Sequence, residues 1–258
     1  MIRETLTALR QPYPGREDRL VRVFVPERAE NERLPVVYMT DGQNLFDVES
    51  SGFGCWYTRE AVRAERAASG RAAILVGIHN PEPWRMRELT PASMGELALP
   101  PAEREELAGP EGEIFDRFLT GTVMPAVEAR FPVLSGGQNT AFCGSSAGGV
   151  MAFFTALSHP ELWRAAGVFS PAFLLYRPED LERWIRERSG GAHPLLTLFS
   201  GDGDELERQI CQSMEPVVEC LRSCWPADRL QVRIAPGQPH HERAWEPQFR
   251  NFLHAFLG

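Results

Sequence analysis

The chain has 258 residues, 43% of them hydrophobic and 24% charged, with a formal charge of −8 at pH 7. A chain of this length buries roughly 70–75% of its unfolded surface in one core, and no shift in composition marks a linker, so residues 1–258 read as a single domain. The absence of a Lys/Arg cluster disfavours nucleic acid as a partner, and the absence of about 18 consecutive apolar residues disfavours a membrane span.

The first residues lack the apolar centre of a signal peptide, which points to the cytoplasm. Cys55, Cys143, Cys211, Cys220 and Cys224 have no paired metal-ligand spacing and read as free thiols. In chain order, apolar runs at 20–25, 36–39, 73–78, 140–143, 166–169, 195–199 and 230–234 each end in Gly, Pro, Asn, Asp or Ser. Uniformly apolar runs bounded by turn residues suit parallel strands covered on both faces. Helical spacing occupies 56–68, 114–131, 205–224 and 246–257. Strands alternating with helices predict a parallel sheet with right-handed crossovers. No helix separates the two apolar runs of the first 25 residues, so these predict antiparallel edge strands. Residues 91–112, with Pro91, Pro100, Pro101 and Pro110, predict a loop beside the active site.

The chemistry concentrates at Gly144-Ser145-Ser146-Ala147-Gly148-Gly149, between a strand pattern and a helix pattern. Gly-x-Ser-x-Gly in that position is the nucleophile-elbow signature, in which any Cβ at the flanking positions would meet a neighbouring strand or helix. Random order of this composition produces one match roughly one time in ten, so the position between strand and helix carries the argument. A phosphate-binding loop would want a following Gly-Lys-Ser/Thr, which is absent. Ser146 is the nucleophile candidate, because the flanks of Ser145 are Cys143 and Ala147.

A serine needs a base, and the chain order in this architecture is serine, acid, histidine. Of six histidines, His240 and His241 follow the last strand pattern and precede the last helix, as required. The acid should follow the 195–199 run, where Asp202, Asp204 and Glu205 all stand. The oxyanion hole needs the amide of Ala147 and a second amide from the turn at Thr40-Asp41-Gly42-Gln43-Asn44. Trp56, His79, Trp84 and Arg87 lie near strand ends and are candidates to line the pocket, the tryptophans being equally suited to packing.

Taken together, Val37-Tyr38-Met39-Thr40-Asp41-Gly42-Gln43-Asn44-Leu45-Phe46, Val76-Gly77-Ile78-His79-Asn80, Arg87-Glu88-Leu89-Thr90-Pro91, the serine motif, Phe169-Ser170-Pro171 and His240-x-Glu242-x-x-Trp245 resemble the putative-esterase family of α/β-hydrolases. The family includes feruloyl esterases, enterochelin esterases, S-formylglutathione hydrolases and mycolyltransferases. The resemblance implies an α/β-hydrolase fold and a serine esterase with no metal or cofactor, acting on a small-molecule ester, with homo-oligomerisation left open. It implies His240 rather than His241 as the base, Asp204 as the acid through Gly201-x-x-Asp204, and Gln43 with Ala147 as oxyanion donors. Ala147 stands where many relatives have Met, and His241 where many have Asn. No basic cluster suits an anionic iron-siderophore. Two alternatives stand beside hydrolysis: acyl transfer on the same fold, and a catalytically silent ligand-binding protein.

Overall fold

A computed structural model describes residues 1–100, 102 and 109–258. Eight strands form one sheet: β1 (Thr5–Gln11), β2 (Arg19–Val25), β3 (Val36–Met39), β4 (Ile74–Ile78), β5 (Thr140–Ser145), β6 (Ala165–Phe169), β7 (Leu195–Gly201) and β8 (Leu230–Ala235). Their spatial order is β1-β2-β4-β3-β5-β6-β7-β8. β1 pairs antiparallel with β2 and β2 with β4, and every later pairing is parallel. The expected N-terminal antiparallel edge is therefore present, and the sheet is that of an α/β-hydrolase.

Among the described residues the helices are α1 (Thr58–Ser69), α2 (Arg85–Glu88), α3 (Gly112–Phe118), α4 (Met124–Arg130), α5 (Ala147–Ser158), α6 (Pro178–Arg188), α7 (Glu205–Cys224) and α8 (Glu242–Leu257). A π-helical turn, Leu119–Val123, joins α3 to α4 just before Pro125. Proline has no amide to continue an α-helical ladder, which accounts for the wider turn within the expected 114–131 helix. Among the described residues, no helix is long and apolar enough to cross a membrane.

Alternation along the strands separates two cores. Val36, Tyr38, Val76 and Phe142 pack on one face with residues of α3 to α7, while Val37, Met39, Leu75 and Cys143 pack on the other with α1 and α8. The central strands β3, β4 and β5 are buried at every residue. β8, read from the sequence as a buried run, is a half-exposed edge strand, as its Gln231 and Arg233 allow. In an open parallel sheet the loops at the carboxyl ends of the strands converge on one crevice. The segments after β3, β4, β5 and β8 meet there.

Of the expected 91–112 loop, residues 101 and 103–108 lie outside the described residues. The rest is tied to its surroundings. Glu113 accepts from the amides of Ala92 and Ser93, Tyr176 donates to Pro91 O, and Met94 is buried.

Candidate active site

Ser146 sits between β5 and α5 with φ 58° and ψ −124°, a backbone conformation that costs an L-residue about 1–3 kcal/mol. The turn is held from both sides: Ser146 N donates to Phe169 O at 3.0 Å, and Ala172 N donates to Ser146 O at 3.2 Å. The flanking glycines are required by space. A Cβ on Gly148 would lie 2.1 Å from Thr40 Oγ1, and one on Gly144 would lie 2.4 Å from Gly148 O. Ala147 is the first residue of α5, so its amide has no acceptor within the helix.

The segments that follow β7 and β8 bring Glu207 and His240 together. His240 follows β8, and its Nδ1 lies 2.6 Å from Glu207 Oε2. Glu207 is fully buried, and its Oε1 accepts from Ser170 Oγ at 2.6 Å, Ser200 Oγ at 3.0 Å and Gly201 N at 2.6 Å. Burial pushes the Glu207 carboxyl up, but the hydrogen bonds from His240, Gly201 and Ser170 outweigh it and hold the group below the usual carboxylate range. Facing a carboxylate, Nδ1 of His240 carries the proton, which leaves Nε2 as an acceptor toward the cleft. The Trp245 ring stands edge-on to the imidazole at 5.0 Å, and its indole N–H donates to Ser170 Oγ at 2.8 Å. The Phe169-Ser170-Pro171 and His-x-Glu-x-x-Trp segments thus meet in one chain, Trp245 to Ser170 to Glu207.

The acid expected from the sequence, Asp204, has other partners. Asp204 is the N-cap of α7: Oδ1 accepts from Glu207 N at 2.8 Å and Oδ2 from the backbone amide of His240 at 2.7 Å. Its carboxylate holds the histidine's backbone, while Glu207 holds the ring. Asp202 accepts from Gly237 N, and Glu205 bonds Arg208 and Gln209. The missed signal was local. Asp204-x-x-Glu207 has capping-box spacing, in which the first acid is consumed by the third helical amide. The residue three positions on then starts the helix from its inner face.

On the opposite wall, β3 runs into Asp41, with φ 54°, and the 3₁₀ turn Gly42–Asn44. A Cβ on Gly42 would lie 2.5 Å from Gly77 C, so the turn packs directly on β4. Asn80 organises it: Oδ1 accepts from Asp41 N at 3.0 Å, and its backbone N and O both bond the Gln43 side chain at 3.3 Å. Arg85 clamps the Asp41 carboxylate at 2.6 and 2.8 Å.

Ser146, His240, Gln43 and His79 line one cleft of about 660 Å³ together with Asp41, Asn44, Phe53, Pro81, Glu82, Arg85, His241, Glu242 and Trp245. His79 is mostly buried. That burial, with Arg22 and Arg19 nearby, pushes its pKa down to about 4. Three expected lining residues, Trp56, Arg87 and Trp84, are elsewhere. Trp56 is buried in the core among Phe169, Trp245 and Phe249. Arg87 pairs with Glu111 at 2.5 Å. Arg85 and Arg87 are two residues apart on a helical turn, so they project roughly 200° apart and only Arg85 faces the cleft. Trp84 lies in an adjoining groove under Arg16. None of the described residues of 91–112 lines the cleft.

The sequence profile of the family described as "Putative esterase" matches residues 15–253. The Bacillus subtilis protein YbbA is 24% identical over 229 residues, covering 87% of this chain and 86% of that protein. A siderophore triacetylfusarinine C esterase from Aspergillus fumigatus is 27% identical over 161 residues, or 60% of this chain and 52% of that one. Among solved structures, the siderophore hydrolase EstA from Aspergillus nidulans has a TM-score of 0.77 at 20% identity, covering 98% of this chain and 95% of that one. The BES protein from Bacillus cereus has a TM-score of 0.74 at 17% identity, covering 100% and 97%. At these identities the structures attest the fold, and the profile attests the family. With the profile spanning nearly the whole chain, the protein belongs to this esterase family and is an ester-hydrolysing enzyme of α/β-hydrolase fold.

Proposed function

We propose that hydrolysis runs through an acyl-enzyme on Ser146, with His240 as base, Glu207 as the acid that orients it, and the Gln43 and Ala147 amides as the oxyanion hole. The Ser146 hydroxyl proton passes to His240 Nε2 as Oγ attacks the ester carbonyl. The oxyanion that forms is stabilised by the two amides, one such donor being worth about 2.7–4 kcal/mol in comparable sites. His240 returns the proton to the leaving alcohol. It then takes a proton from water as the water attacks the acyl-enzyme, and returns that proton to Ser146 Oγ as the acid is released. Glu207 stays ionised and stabilises the imidazolium.

The observation that carries this reading is the pairing of a strained serine at an elbow with a histidine whose Nδ1 is bound to a buried carboxylate, both lining one cleft. Acyl transfer to an alcohol is the rival reading. A fluorophosphonate probe should label the wild-type protein at Ser146. Ser146→Ala should lose both the label and on the order of 10⁶-fold in kcat on a short p-nitrophenyl ester. Unchanged turnover in that variant would rule the assignment out. A product acylated on an added alcohol, formed at the expense of free acid, would favour transfer.

A further inference from the structure

The charges around the cleft limit what it can enclose. Among the described residues, its charged lining consists of Asp41, Glu82, Glu242 and Arg85. The chain contains no lysine, so all 27 of its basic residues are arginines, and among the described residues Arg85 alone lines this cleft. Arg85 is already engaged. Its Nε and Nη2 form a two-point pair with Asp41 at 2.6 and 2.8 Å, and Nη2 also reaches Ser145 O at 3.5 Å. Burial opposes its charge, but Asp41, Glu82 and Glu242 together raise its pKa.

One acid is thus neutralised and two carboxylates remain. Glu242 is 5% exposed, with Oε1 bonded to Asn44 Nδ2 at 3.2 Å and Oε2 3.7 Å from His241 Nδ1. Glu82 lies on the wall between the cleft and the neighbouring groove. His79 adds no positive charge at neutral pH, because its pKa is pushed down to about 4. The His240 ring is committed to Glu207. The remaining wall is apolar or aromatic: Pro81, Trp245 and Phe53, the last 75% exposed at the rim.

We infer that the cleft takes esters whose enclosed group is neutral or cationic and rejects those that carry a negative charge. The inference rests on the reading of this cleft as the esterase site. Two like charges about 7 Å apart at an effective dielectric near 20 repel enough to cost a bound anion roughly tenfold or more. The exposed Phe53 ring offers a cation a favourable face.

The test compares three p-nitrophenyl esters of equal chain length: the hexanoate, the hemiadipate with its terminal carboxylate, and the 6-(trimethylammonio)hexanoate. Spontaneous hydrolysis is subtracted with the Ser146→Ala protein. At low salt, kcat/KM for the hemiadipate should be at least tenfold below that for the hexanoate, with the cationic ester equal to the hexanoate or better. Raising the salt to about 0.5 M should shrink the gap, because screening shortens the reach of the carboxylates. Glu82→Arg should raise the hemiadipate-to-hexanoate ratio several-fold. A hemiadipate turned over as well as the hexanoate at low salt would overturn the inference and leave the esterase reading standing. Absence of any Ser146-dependent turnover of the hexanoate would overturn both.

Discussion

The turn that presents Ser146 and the turn that presents the acid lie at the same edge of the sheet, but they are specified in different ways. The elbow is specified by backbone geometry: a positive φ, and two positions where a Cβ would collide at 2.1 and 2.4 Å. Such constraints permit glycine and little else, so they appear in the sequence as a motif. The acid turn is specified by side-chain reach. Asp202, Asp204, Glu205 and Glu207 are chemically alike and lie within six positions of one another. Only the start of α7 decides which of them bonds backbone and which bonds the histidine ring. A site built on backbone exclusions can be read from letters, whereas one built on a choice among equivalent carboxylates needs the helix register.

Glu207→Gln breaks that comparison most severely. It removes the carboxylate that fixes the His240 tautomer, and kcat should fall by about 10⁴-fold, as when the acid of a comparable triad is amidated. Loss of less than tenfold would return the acid role to Asp204. Gly148→Ala tests the elbow, with a destabilisation of about 1–3 kcal/mol from overpacking in thermal or denaturant unfolding. Thr40 Oγ1, the atom it meets, is buried without a hydrogen-bond partner. Thr40→Ala should therefore rescue part of that loss in the double variant, and strict additivity would show that the contact is not the cause.

Asp204→Ala should cost about 1 kcal/mol of stability through the lost N-cap, with far less loss of turnover than Glu207→Gln. The last test concerns the far wall. Folded His79 refuses a proton that the unfolded chain accepts near pH 6.5, so its contribution to stability is full above about 6.5 and is lost as pH falls toward 4. His79→Gln should flatten the decline in Tm across that window, and an unchanged slope would show that the ring is not buried in its neutral form.

Much of the fold was readable because uniformly apolar runs such as Ile74–Ile78 and Thr140–Ser145 are central strands covered on both faces. The expectation for Ser146 came from its glycine flanks; chain order admitted both His240 and His241, and only the resemblance chose between them. Trp56 and Arg87 were not readable. Proximity to a strand end in sequence says nothing about which way a side chain turns: Trp56 faces the α8 core, and Arg87 points half a helical turn away from the cleft. α6 went unread because its apolar positions, Leu181, Trp184 and Ile185, are few and lie among charges.

The placement of Glu207 also divides the motions open to the site. It is the third residue of a 20-residue helix packed into the core, so it moves only if the first turn unwinds or the whole of α7 shifts. Such events belong to slow, core-level opening. The opposite wall, from Gly42 to Phe53, is a short 3₁₀ turn followed by loop, with its tip in solvent. Adjustment to substrates of different bulk therefore falls to the exposed tip of that loop, from Val48 to Phe53. Glu207 and the His240 ring bound to it form the fixed jaw, and the loop tip facing them is the part that can give.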